Sequence, residues 1–174
     1  MEKRTQMKVA MTYGAIYGLA SSITYLIFYF AGAPVNSKWP QWIGYLLMIV
    51  ILSMGIKSYR DQDSEGFISY GRSLGTGVLM GMFGGIITGL FSVLMFTVID
   101  PGLGEKIVEK AQEDMIQRGG MSEDQIEMAV SWTRKFMNPG MLFLFSIIGS
   151  AFMAFIFSLF ISIFVRKEKP VFQG

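Results

Sequence analysis

The chemistry open to this chain lies in carboxylates and hydroxyls. Asp61, Asp63 and Glu65 alternate within a short polar stretch, residues 57–72. Acids spaced in this way could do acid–base work or gather a hard cation such as calcium. The stretch lacks the EF-hand pattern, and no basic partner stands at motif spacing. Lys57, Arg60 and Arg72 balance the three acids. A solvated capped turn, with Asp63 or Ser64 starting the next helix, competes with a recognition site built on Arg60, Asp61, Asp63, Glu65 and Arg72. A second polar set, Tyr13, Tyr17, Tyr25 and Tyr29 with Ser21, follows a four-residue step through an apolar run. A phenol in hydrocarbon needs a hydrogen-bond partner. Tyr17 and Tyr25 therefore either line a polar groove for a lipid or polyprenyl head group or bond to neighbouring helices. In the second case Tyr13 and Tyr29 are interfacial, and the drift of four-step spacing leaves no continuous lining. Cysteine and histidine are absent, which removes disulfides, zinc fingers, thiol nucleophiles, Ser-His-Asp triads and haem ligation by those side chains. No catalytic residue, cofactor or metal is expected.

The elements that position these residues are apolar. The chain of 174 residues is 52% hydrophobic and 16% charged, with mean hydropathy +0.45, whereas soluble domains carry roughly a quarter charged residues. All 15 basic and 13 acidic side chains lie outside four apolar stretches, residues 9–31, 40–56, 74–99 and 141–165. Uncharged runs of about 18 or more residues read as membrane helices. The first also resembles a signal peptide, with Ala31-Gly32-Ala33 as a cleavage pattern. Its apolar run exceeds the roughly 7–15 residues of a signal core, and Pro34 follows, so a retained helix is expected. Pro40 suits a first helical position. Trp39 and Trp42 would mark one interface of the second span and Tyr59 the other. The expected fold is all-α: one membrane domain, residues 1–174, with four transmembrane helices.

Orientation follows from basic residues in the flanks. Lys3, Arg4, Lys8, Lys57, Arg60, Arg72, Arg166, Lys167 and Lys169 fall on one side, against Lys38 in the short opposite loop. Both termini are therefore expected to be cytoplasmic. The outer segment, residues 102–138, reads as an amphipathic helical hairpin outside the membrane. Ile107, Val108, Ala111, Met115 and Ile116 share one face, and Gly119-Gly120 can end that helix. Ser122 stands three before Gln125, a capping-box spacing. Ile126, Ala129, Val130, Thr133, Phe136 and Met137 then repeat at helical intervals. The hairpin either merely connects two spans as a lid or offers a docking surface to a partner or lipid.

Small residues mark the helix contacts. Gly77, Gly81, Gly84, Gly85 and Gly89, with Thr88, share one broad face of the third span, Gly14 and Gly18 repeat the spacing in the first, and Ser146, Ser150, Ala154, Ser158 and Ser162 form a ridge on the fourth. In lipid, close backbone approach is a main source of helix association. These faces serve packing within one chain or a seam to a partner or a second copy. No ionisable residue lies inside a span, which argues against ion-coupled transport. Four helices packed on small residues leave little room for a pore within one copy. The net charge of +2 is too small and dispersed for nucleic-acid binding.

The loop Ser58-Tyr59-Arg60-Asp61, leading to Gly66-Phe67-Ile68-Ser69-Tyr70-Gly71 and the glycine-rich third span, resembles a family of bacterial membrane proteins, domain of unknown function 4199. Gly120-Met121-Ser122 and the basic tail fit the same pattern, and the likeness spans roughly residues 7–168. The resemblance implies a four-span inner-membrane protein without an assigned activity. It also implies, through genes for polyprenyl-phosphate glycosyltransferases that often neighbour such genes, an accessory role in envelope glycan assembly. The expected function is a non-enzymatic accessory or scaffold subunit of the bacterial inner membrane, contacting the bilayer and a membrane-protein partner or further copies. The alternative is an oligomeric carrier or channel for a neutral or lipid-linked substrate.

Overall fold

The structure is a computed structural model that describes residues 5–168, so Lys3, Arg4 and Lys169 of the basic flanks lie outside the described residues. The described chain forms α1 (Gln6–Phe30), α2 (Trp39–Ser58), α3 (Tyr70–Leu94), α4 (Leu103–Arg118), α5 (Glu123–Phe136) and α6 (Pro139–Val165). Each of α2 and α3 ends in one wider, π-helical turn, Tyr59–Asp63 and Met95–Ile99. With those turns, α1, α2, α3 and α6 run 25, 25, 30 and 27 residues. All four exceed the roughly 20 residues needed to cross a hydrocarbon core.

Local signals explain the boundaries. Thr5 and Asn138 accept hydrogen bonds from the first-turn amides of Lys8 and Gly140, and Pro139 opens α6. The Ser122–Gln125 capping box forms in both directions. The third span departs from expectation: neither Asp63 nor Ser64 caps it. They close the extension of α2, and Ser69 caps α3 by accepting from the Arg72 amide. Glu65 and Gly66, at φ 57° and 80°, turn the chain back first. Ile68 is then held to Lys167 by a pair of backbone hydrogen bonds of 2.8 and 3.0 Å, so a helix can start only at the next residue.

The bundle packs small residues inward and large ones outward. Side by side around it stand α1, α3, α6 and α2; α3 makes its most extensive contact with α6, then with α1. The interior holds Gly14, Gly18, Ser22, Ser73, Thr76, Gly77, Gly81, Gly84, Gly85, Gly89, Ala154, Ser158 and Ser162. Ile27, Leu46, Leu90, Phe152 and Phe164 stand more than half exposed on the outside. Water would penalise that surface, whereas lipid tails are as apolar as the side chains themselves. Tyr59, expected at an interface, is 8% exposed and belongs to the core.

The glycines of α3 do not share one face; they divide between two seams. Gly77, Gly81, Gly85 and Gly89 descend at four-residue steps against Ser158, Ala154, Ser150 and Phe143 of antiparallel α6. The same register continues to a buried hydrogen bond of 2.8 Å from Ser162 to Ser73. Gly84 turns the other way, onto Tyr17 and the Gly14 carbonyl of α1, while the Gly18 backbone meets Ile87 and the Gly84 carbonyl. A four-residue step drifts about 40° around a helix, and one extra small residue at 84 is enough to reach the second neighbour. The small-residue faces are thus occupied within the chain.

The helices α4 and α5 pack on each other at one end of the bundle, with Gly119 and Gly120 at φ 67° and 84° between them. Ile126, Ala129, Val130, Thr133 and Met137 are half-buried along α5. Phe136 leaves that face: it stacks on Trp132 and meets Phe145 of α6 edge-on, at centroid distances of 6.1 and 5.6 Å.

Candidate functional site

Because the small-residue seams hold α3 against α6 and α1, α2 is drawn in less closely. A cavity of about 500 Å³ opens between α1, α2 and α6, with Thr88 of α3 at its back and residues 33–37 of the α1–α2 loop at its rim. One copy therefore holds more space than small-residue packing suggested, and beside it Tyr45 meets Phe157 edge-on at 5.8 Å.

The cavity wall sets polar, uncharged groups among apolar ones. Tyr17, Ser21, Tyr25 and Tyr29 all line it along α1, although the four-step spacing drifts around the helix. Three steps of about 40° spread these side chains over about 120°, an arc that one wide cavity covers. Tyr13 packs against the core instead. The Tyr17 hydroxyl interacts with the side chains of Ser21 and Ser150, yet Ser21 Oγ is buried and completes no hydrogen bond. Tyr25 meets Phe91 of α3 edge-on at 6.0 Å. From α2 come Gln41, Gly44 and Tyr45, with Gln41 Nε2 donating to the Tyr45 hydroxyl at 2.8 Å. From α6 come Ser146, Gly149 and Ser150. Sequence reasoning assigned Ser146, Ser150 and Thr88 to packing alone and passed over Gln41, Gly44 and Gly149. Their only signal was a polar or small residue on an otherwise apolar face.

Above the cavity, Tyr29 donates to Asp100 Oδ2 at 3.0 Å, and Lys106 Nζ reaches the same oxygen at 2.7 Å. This clamp ties the ends of α1 and α3 to the start of α4. The Lys106 ammonium, helped by the Tyr29 hydroxyl, holds the Asp100 carboxyl below the ordinary carboxylate value. A lowered carboxylate contributes stability above its unfolded-state value and loses it as pH falls through the folded one. The α4 amides near Lys106 are therefore expected to keep their exchange protection down to about pH 3.8, the ordinary value, and to lose it in stronger acid. Asp100→Asn should abolish that acid step in a hydrogen-exchange pH series. Lys106 is 57% exposed, so salt should weaken the clamp.

At the opposite end of the bundle, the acidic stretch does not assemble a metal site. Among the described residues no three acids converge to hold an ion. Arg60 grips Asp61 through Nε–Oδ1 and Nη2–Oδ2 contacts of 2.6 and 3.0 Å and donates from Nη1 to the Val165 carbonyl at 3.0 Å. That carbonyl, at the last residue of α6, has no partner inside its own helix, so Arg60 binds the end of α2 to the end of α6. Glu65 occupies the positive-φ turn. Arg72 is exposed, and its carbonyl accepts from Thr76 Oγ1 at 2.7 Å and Gln6 Nε2 at 3.4 Å. Asp63 is half-buried at the end of the α2 extension.

Neither the curated proteins nor the solved structures contain a significant match to the chain. A family model described as "Protein of unknown function (DUF4199)" matches residues 12–167, covering both seams, the cavity and the loop from Ser58 to Gly71. On that match over nearly its whole length, the chain belongs to the DUF4199 family.

Proposed function

We propose that this protein is a non-enzymatic accessory or scaffold subunit of the bacterial inner membrane, with both termini cytoplasmic. The observation that carries this reading is the placement of its chargeable groups. No span carries Asp, Glu, Lys, Arg or His in its apolar core, where a reacting or translocated charge would have to be met. Of the charged groups at the bundle ends, Arg60–Asp61 and Lys106–Asp100 are engaged in tying elements together. In this reading α4 and α5 form an outer hairpin resting on the bilayer. Met128 and Trp132 are 64% and 54% exposed and lead through Phe136 to Phe145 of α6. A tryptophan on such a stripe suits the lipid–water interface. Copurification from native membranes in mild detergent tests the accessory role. A stoichiometric membrane-protein partner of envelope polyprenyl-phosphate glycan assembly is expected, whereas a lone monomer with no bound protein would contradict it.

The cavity favours a second reading, a carrier or channel for a neutral or lipid-linked substrate working as an oligomer. Flux or lipid scrambling no greater than in empty vesicles would remove it.

A further inference from the structure

We infer that the cavity between α1, α2 and α6 is a binding site for a lipid with an uncharged, polyhydroxylated head, in the leaflet at the α1–α2 loop. This goes beyond the accessory role and depends neither on that role nor on which side of the membrane the loop faces.

Three observations fix the ligand chemistry. First, the wall offers tyrosine, serine and threonine hydroxyls and the Gln41 amide, with no charged side chain among its lining residues. A phosphate head would enter without a counter-charge, at a large desolvation cost. A sugar or polyol exchanges its hydroxyls for those of the wall and lays its C–H faces on aromatic rings. Ser21 Oγ, buried without a completed hydrogen bond, is a group that a ligand hydroxyl would satisfy. Second, Phe28, Met48, Phe145 and Met153 share the wall with these hydroxyls. That mixture suits a head joined to hydrocarbon better than a free sugar. A volume of about 500 Å³ lies in the ordinary range for small-ligand sites.

Third, Gly44 and Gly149 contribute to the wall from α2 and α6, yet a Cβ built at either position meets nothing within 4 Å. They contrast with the seam glycines, each of which admits a neighbouring helix. Here the missing side chain leaves open space at two positions that line the cavity. Larger residues at either position would fill the site without disturbing a helix contact.

The test uses the full chain in phosphatidylcholine nanodiscs containing either monoglucosyl-diacylglycerol or phosphatidic acid, with free glucose as a third arm. Retained lipid is counted by native mass spectrometry. The parent protein is expected to retain the glucolipid over phosphatidic acid, and Gly149→Leu and Gly44→Leu to lower retention about tenfold, as when a filled pocket excludes its ligand. Thermal melting of the lipid-free variants should match the parent, and either variant suffices if the other melts early. Preference for phosphatidic acid, or glucolipid retention unchanged in a fully folded filling variant, would overturn the proposal. Competition by free glucose at the glucolipid's own affinity would overturn its lipid-borne part.

Discussion

Gly85→Val is expected to abolish the folded, monodisperse protein in mild detergent or to lower its melting temperature sharply, while Gly149→Val leaves melting unchanged. Both glycines lie in long helices and both substitutions change helix propensity alike, so the difference isolates packing. At Gly85 an added Cβ would stand 2.7 Å from Ile147 Cα and 2.8 Å from the Ser146 carbonyl oxygen. Those atoms are backbone and cannot turn aside, so α3 and α6 must separate along the register they share from Ser73–Ser162 to Gly89–Phe143. Overpacking a close-packed interior costs about 1–3 kcal/mol, and more where backbone is the obstacle. Separation would also strand the hydroxyls of Ser73 and Ser162, which satisfy one another at 2.8 Å. Gly55→Ala makes a useful intermediate: its tightest neighbours are Met80 Cε and Sδ at 2.5 and 2.8 Å, the far end of a flexible side chain. It should cost far less than Gly85→Val. Equal melting of the parent and Gly85→Val would mean that the helices do not approach on these glycines.

The four long apolar helices were readable because crossing lipid would impose just such a length and composition on a helix. Their ends were less so. The wider turn Tyr59–Asp63 carries α2 five residues past Ser58, and no local propensity marks it. Ser69 could be read as a cap only once Ile68 was known to pair with Lys167, a residue from the far end of the chain. The glycines announced close packing but not its division, since a helical face about 100° wide can touch one neighbour or two. The cavity was the least visible feature. Its tyrosines stood out on α1, but its opposite wall is made of Gln41, Gly44, Ser146 and Gly149, which become a wall only when α2 stands off from α6. The tyrosine step does drift around α1, and only a wide lining takes in its whole arc.

In the proposed orientation α1, α2, α3 and α6 cross a bilayer with the N-terminus inside. Because the chain has no cysteine, single cysteines can be introduced into it directly. Asn36→Cys lies in the α1–α2 loop, Met121→Cys between α4 and α5, and Gln62→Cys in the turn after α2, all exposed positions. In intact cells a membrane-impermeant maleimide should label the first two promptly and the third only after permeabilisation. Labelling of Gln62→Cys from outside with Asn36→Cys protected would reverse the orientation, and equal labelling of all three in intact cells would contradict the crossing itself.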